Sequence, residues 1–145
     1  MFKDLYFTIT KPFLGISLLI ILALNFFALS FSLYKTFFWY DVVLHFLGGA
    51  WVAALVVSWP NFKNQFYNFK QKLIFTLLVV AVIGIAWEIL EIYVSGIVYL
   101  KYYTGSGVLR ELNAGLTFDT TVDLAMDLFG GFSLAYLFTK FKLKD

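Results

Sequence analysis

Three aspartates stand four residues apart in DTTVDLAMD, residues 119–127, and the chain then runs on as the apolar GGFSLAYLF. A helix turns about 100° per residue, so positions three, four and seven apart share a face. Asp119, Asp123 and Asp127 therefore form one stripe, which continues into Gly130 and Gly131. Two other segments are built alike. Asp41, His45, Gly48 and Val52 share a face, as do Gly84, Glu88, Glu91 and Ser95. Carboxylates with one imidazole on facing helices are how bundle cores build metal sites. Oxygen-rich ligation suits Mg, Ca or Mn, and the imidazole keeps Fe and Zn open. The lack of cysteine and the single histidine argue against a tetrahedral structural zinc site.

The expected metal ligands are His45, Glu91, Asp123, Asp127, Glu88 and Asp41, with Glu88 or Asp41 as the general base. Arg110 and Asp119 are expected at the substrate entrance, where Arg110 would meet a phosphate. Plainer readings stand beside these. His45 is a satisfied core residue, Asp119 a helix N-cap, Asp41 an interfacial side chain and Arg110 a loop charge. The buried acids would then hold protons, Asn25 would be interhelical glue, and TGSG at 104–107 a turn.

The elements that position these residues are membrane helices. The chain is 61% hydrophobic and 14% charged, against ~45–50% apolar residues in soluble domains. Its mean hydropathy is +0.84. The net charge of +2 gives no basic groove for nucleic acid. Apolar runs predict an all-α, single-domain bundle over 1–145 with four transmembrane helices, at about 12–34, 37–59, 72–100 and 118–138. The first run is too long for a signal-peptide core and is read as a retained span. Residues 101–118 read as a loop.

Lys3, Lys11, Lys63, Lys70, Lys72, Lys140, Lys142 and Lys144 fall on one side of that topology, and Lys35, Lys101 and Arg110 on the other. The positive-inside bias thus puts both termini in the cytoplasm of a multi-pass cell-membrane protein. The second and fourth spans run inward and the third outward, so the acids of all three meet in the outer half, with glycines deeper. Charged groups in a bilayer cost roughly 2.5–3.5 kcal/mol each, so their convergence predicts a wet, outward-facing carboxylate pocket holding a divalent metal ion.

DVVLHFLGG at 41–49, WEILE at 87–91 and DTTVDLAMDLFGG at 119–131 resemble, in this order, the YjdF-like family of small bacterial membrane proteins. The Asp-x3-His-Phe helix is more loosely similar to VanZ-like proteins, although this chain lacks an arginine beside the last-helix aspartates. The resemblance covers roughly residues 37–135 and implies a shared fold and polar site in the bacterial inner membrane, with no reaction attached.

Three functions fit these residues. The first is a metal-dependent hydrolase or transferase acting on a membrane lipid or lipid-linked substrate. The second is a proton or divalent-cation transporter. The third is a non-catalytic accessory subunit, with oligomerisation open in each case. The apolar cytoplasmic halves argue against a transport route through a monomer.

Overall fold

A computed structural model describes residues 2–31, 33, 37, 39–59, 62, 68–102 and 108–142, with side chains over most of 11–31, 39–59, 68–93 and 119–138. Four helices follow in order: α1 (Phe2–Ser30), α2 (Trp39–Val57), α3 (Phe69–Tyr102) and α4 (Val108–Lys142). All four are long and apolar enough to cross a membrane, over Lys11–Ala28, Trp39–Val57, Phe69–Tyr93 and Asp119–Phe138. The protein is an all-α membrane bundle.

Three boundaries differ from the sequence expectation. Helix α1 begins ten residues before Pro12, which sits inside it and gives up the hydrogen bond its N–H would make to Thr8. Helix α3 starts at Phe69 because Asn68 caps it, its Oδ1 accepting from the Gln71 N–H at 2.8 Å. Helix α4 starts at Val108, so most of the expected loop is helical. VLREL at 108–112 is made largely of good helix formers, and they prevail over Asn113 and Gly115. Asp119 consequently lies inside α4 and is not its N-cap. At 1.5 Å per residue α3 and α4 each run roughly 50 Å, well beyond a ~30 Å hydrocarbon core.

The bundle is built on α4, which packs most closely against α2 and next against α3. Glycine sets the α2–α4 approach. A Cβ on Gly49 would strike the Asp127 backbone, with the carbonyl carbon 2.6 Å away, and one on Gly130 would strike the Phe46 carbonyl oxygen. Phe46 and Phe129 pack beside this contact with ring centroids 5.7 Å apart. Past the glycines the packing is mostly apolar: Ala53, Val80 and Ala135 form one buried cluster, and Val56, Val57 and Phe62 another.

Helix α1 is the outlying member and packs on α2. Two side chains of α2 fasten it. Trp51 Nε1 donates to the Leu14 carbonyl at 2.9 Å, and Tyr40 Oη donates to the Leu24 carbonyl at 3.1 Å. Both polar tips thus find a partner within an apolar setting.

Candidate metal centre

The polar stripes of α2, α3 and α4 meet at one end of the bundle. At 1.5 Å per residue from that end of each span, Asp123 lies about 6 Å in, Glu88 about 7.5 Å, His45 about 9 Å and Asp127 about 12 Å. His45, Glu88, Asp123 and Asp127 are only 3–6% exposed, so neither water nor lipid solvates them fully.

His45 is the hub. Its Nε2 lies 3.7 Å from Asp41 Oδ1, 3.8 Å from Glu88 Oε1 and 3.9 Å from Asp123 Oδ2. Its Nδ1 faces Asp127 Oδ2 at 3.4 Å. Ligand atoms about 2.0–2.2 Å from a shared ion stand roughly 3.0–4.3 Å apart, and the three Nε2 separations fall in that range. Two groups have metal-binding spacing, with donor atoms all within 4.8 Å of one another: Asp41, His45 and Asp123, and His45, Glu88 and Glu91. They share the imidazole. Residues that could hold a metal are therefore Asp41, His45, Glu88, Glu91 and Asp123.

Asp127, expected as a sixth ligand, belongs to neither group among the described residues. It lies against the other ring nitrogen, where a carboxylate fixes the tautomer and aim of a metal-binding histidine. Gly84 makes room for it: a Cβ there would stand 2.6 Å from Asp127 Oδ2. The glycines expected below the acids thus lie level with Asp127.

Among the described side chains the charges do not balance. Four carboxylates surround one imidazole, and Glu91 adds a fifth. Lys11, Lys70 and Lys72, the basic side chains within the described residues, lie toward the other end, Lys72 roughly 24 Å from Glu88 along α3. Thr120 hydrogen-bonds the Glu88 side chain. Even so, among the described residues Glu88 Oε1 is buried without a hydrogen-bond partner. A buried, unsatisfied carboxylate oxygen is costly, and so rare enough to need a cause.

A cavity of about 190 Å³ adjoins the cluster. It was expected to be wet and lined by carboxylates. Its walls are instead mostly apolar, from Leu18, Ile21 and Leu22 of α1 to Val80, Ile83 and Trp87 of α3, with Asp41, His45, Glu91 and Asp127 at one end. The cause is α1, whose apolar face closes the side that the sequence left open. Glu88 and Asp123 are not among the wall residues, so the expected base Glu88 is set back from the cavity while Asp41 faces it. Asp119 is exposed on α4, one turn before Asp123. The side chains of Arg110 and Ser95 lie outside the described residues.

The sequence reading passed over Thr120, Trp51 and Trp87. Thr120 was legible as a polar residue three before Asp123, on the same face. A tryptophan N–H inside a span needs an acceptor, which was the available signal for Trp51. Trp87 gave no signal beyond its place in WEILE.

The chain belongs to the family described as "Predicted membrane protein (DUF2238)", whose model matches residues 2–144. No curated protein and no solved structure matches the chain. Membership establishes a membrane protein of an uncharacterised family, which the resemblance to small bacterial membrane proteins had implied at that level.

Proposed function

We propose that this protein is a metal-dependent enzyme of the bacterial cell membrane, acting on a lipid or lipid-linked substrate. The narrower YjdF-like kinship and a cytoplasmic location for both termini belong to the same reading. The observation that carries it is Glu88 Oε1, buried 3.8 Å from His45 Nε2 and without a hydrogen bond among the described residues. A divalent cation is the partner that atom lacks and the charge its neighbours need. His45, Asp41, Asp123 and Glu88 would hold the ion, with Glu91 at the edge. When bound, the ion supplies Lewis-acid polarisation of a phosphoryl or acyl oxygen. Asp41 faces the cavity and, with one carboxylate oxygen left over from holding the ion, would accept the proton of an attacking water or hydroxyl; Glu91 lies at the same end. Asp127 keeps the imidazole in one orientation.

Transport is disfavoured by the packing past the glycines. Ala53 and Ala135 are fully buried there, and Thr76, the buried polar side chain in that half, donates to the Lys72 carbonyl at 2.8 Å. No second polar station is found among the described residues.

The test is crystallography with anomalous scattering at the Mn, Fe and Zn edges, with mass spectrometry of vesicle lipids incubated with the purified protein. The reading expects an ion within bonding distance of His45 Nε2 and a change in lipid composition that Asp41→Asn stops. An ordered cluster with no anomalous peak, in protein equilibrated with each metal, would overturn it.

A further inference from the structure

Resting on the reading of the cluster as a reaction centre, we infer that the cavity between α1 and α3 seats one hydrocarbon chain of the substrate. The chain enters sideways from the bilayer and brings the polar end of its lipid to His45. The wall chemistry is that of a chain-binding slot: Leu18, Ile21, Leu22, Val52, Val80 and Ile83 line it, and polar groups gather at one end. Its deeper walls are apolar, a surface that hydrocarbon covers within a membrane. Its entrance is lateral. Leu22, Ile83 and Trp87 are wall residues and also exposed surface, at 47%, 49% and 41%, so the slot is continuous with the face that meets lipid.

The polar end selects the occupant: Asp41, His45, Glu91 and Asp127 stand at one end of an otherwise mostly apolar cavity, which suits the chain and head of one lipid and not the apolar face of a second copy's helix. Asn25 is the polar residue that α1 adds to the wall, suitably placed in kind to donate to an ester carbonyl.

The full-length protein, in nanodiscs containing phosphatidylethanolamine with a diazirine in one acyl chain, is irradiated and its labelled peptides are mapped. Manganese binding is measured on the same samples. Labelling of Leu18 and Ile21 is expected to exceed that of Phe13 and Leu78, exposed apolar residues outside the cavity, by five-fold or more. Leu18→Trp, which narrows the slot from α1 where no candidate ligand lies, should cut wall labelling at least three-fold and leave manganese affinity unchanged. Gly48→Leu is the second obstruction, since a Cβ there meets only Asp127 Oδ1, at 3.8 Å. Manganese binding without preferential wall labelling overturns the chain seat alone. Preferential wall labelling without manganese binding upholds the seat and removes the metal. Walls protected by a second copy in a stable dimer also overturn it.

Discussion

Asp127 Oδ2 stands 3.4 Å from Nδ1 of His45, across the ring from the nitrogen that Asp41, Glu88 and Asp123 surround. The imidazole is thereby divided between two tasks. One nitrogen faces a carboxylate that a glycine-lined gap admits, and the other faces the candidate metal site. Outer carboxylates of this kind typically contribute about 10–100-fold in metal affinity.

Asp127→Asn should therefore weaken manganese binding by about 10–100-fold while keeping the fold, because Asn retains the volume of Asp. His45→Ala should weaken it further. Titration followed by manganese electron paramagnetic resonance checks both, and equal affinity in wild type and Asp127→Asn would remove Asp127 from its orienting role.

The glycines separate stability from affinity. Gly49→Ala and Gly130→Ala press a methyl into opposing backbone and should cost about 1–3 kcal/mol. Gly48→Ala should be neutral, or stabilising by up to about 1 kcal/mol through helix propensity. Gly84→Ala displaces the Asp127 carboxylate and should reproduce the metal defect of Asp127→Asn. Thermal unfolding in detergent, read beside manganese titration, distinguishes these outcomes.

Removing metal should lower the melting temperature. Manganese at one hundred times its Kd is expected to stabilise the folded protein by about 2.7 kcal/mol, and a chelator should reverse this. Glu88→Gln should shrink the increment and raise the stability of the metal-free protein, since it takes one uncompensated charge out of the interior. Calorimetry with and without chelator reads both. A metal-free Glu88→Gln protein less stable than metal-free wild type would contradict the charge argument.

Helix α1 should loosen when its two fastenings are cut. Trp51→Phe and Tyr40→Phe each remove one hydrogen bond, worth about 0.5–1.5 kcal/mol. The chain has no cysteine, so a pair introduced on α1 and α2 can report their separation by spin-label distance measurements. A broader distance distribution in the double variant is expected, with thermal stability falling by the sum of two such bonds.

Much of this bundle was legible in the residues. Apolar length announced the spans, and the four-residue spacing of Asp119, Asp123 and Asp127 announced a polar face. The convergence of three stripes followed from alternating helix direction. What stayed hidden depends on neighbours. The same periodicity places Asp123 and Asp127 side by side on α4, yet α2 crosses so that one carboxylate meets Nε2 of His45 and the other Nδ1. Spacing along one helix carries no information about which side of a facing ring each residue meets.

The extent of α4 was concealed for a different reason. Asn113, Gly115 and the preceding glycines read as loop, and an aspartate at 119 before an apolar run reads as a cap. Helix propensity over 108–112 outweighed those signals. The character of the cavity was concealed as well, because nothing in the apolar face of α1 told which gap in the bundle it would close.

The packed end of the bundle also bears on the proposed reaction. With Ala53, Val80 and Ala135 buried together beyond the glycines, substrate and product of the proposed enzyme would share one approach to His45.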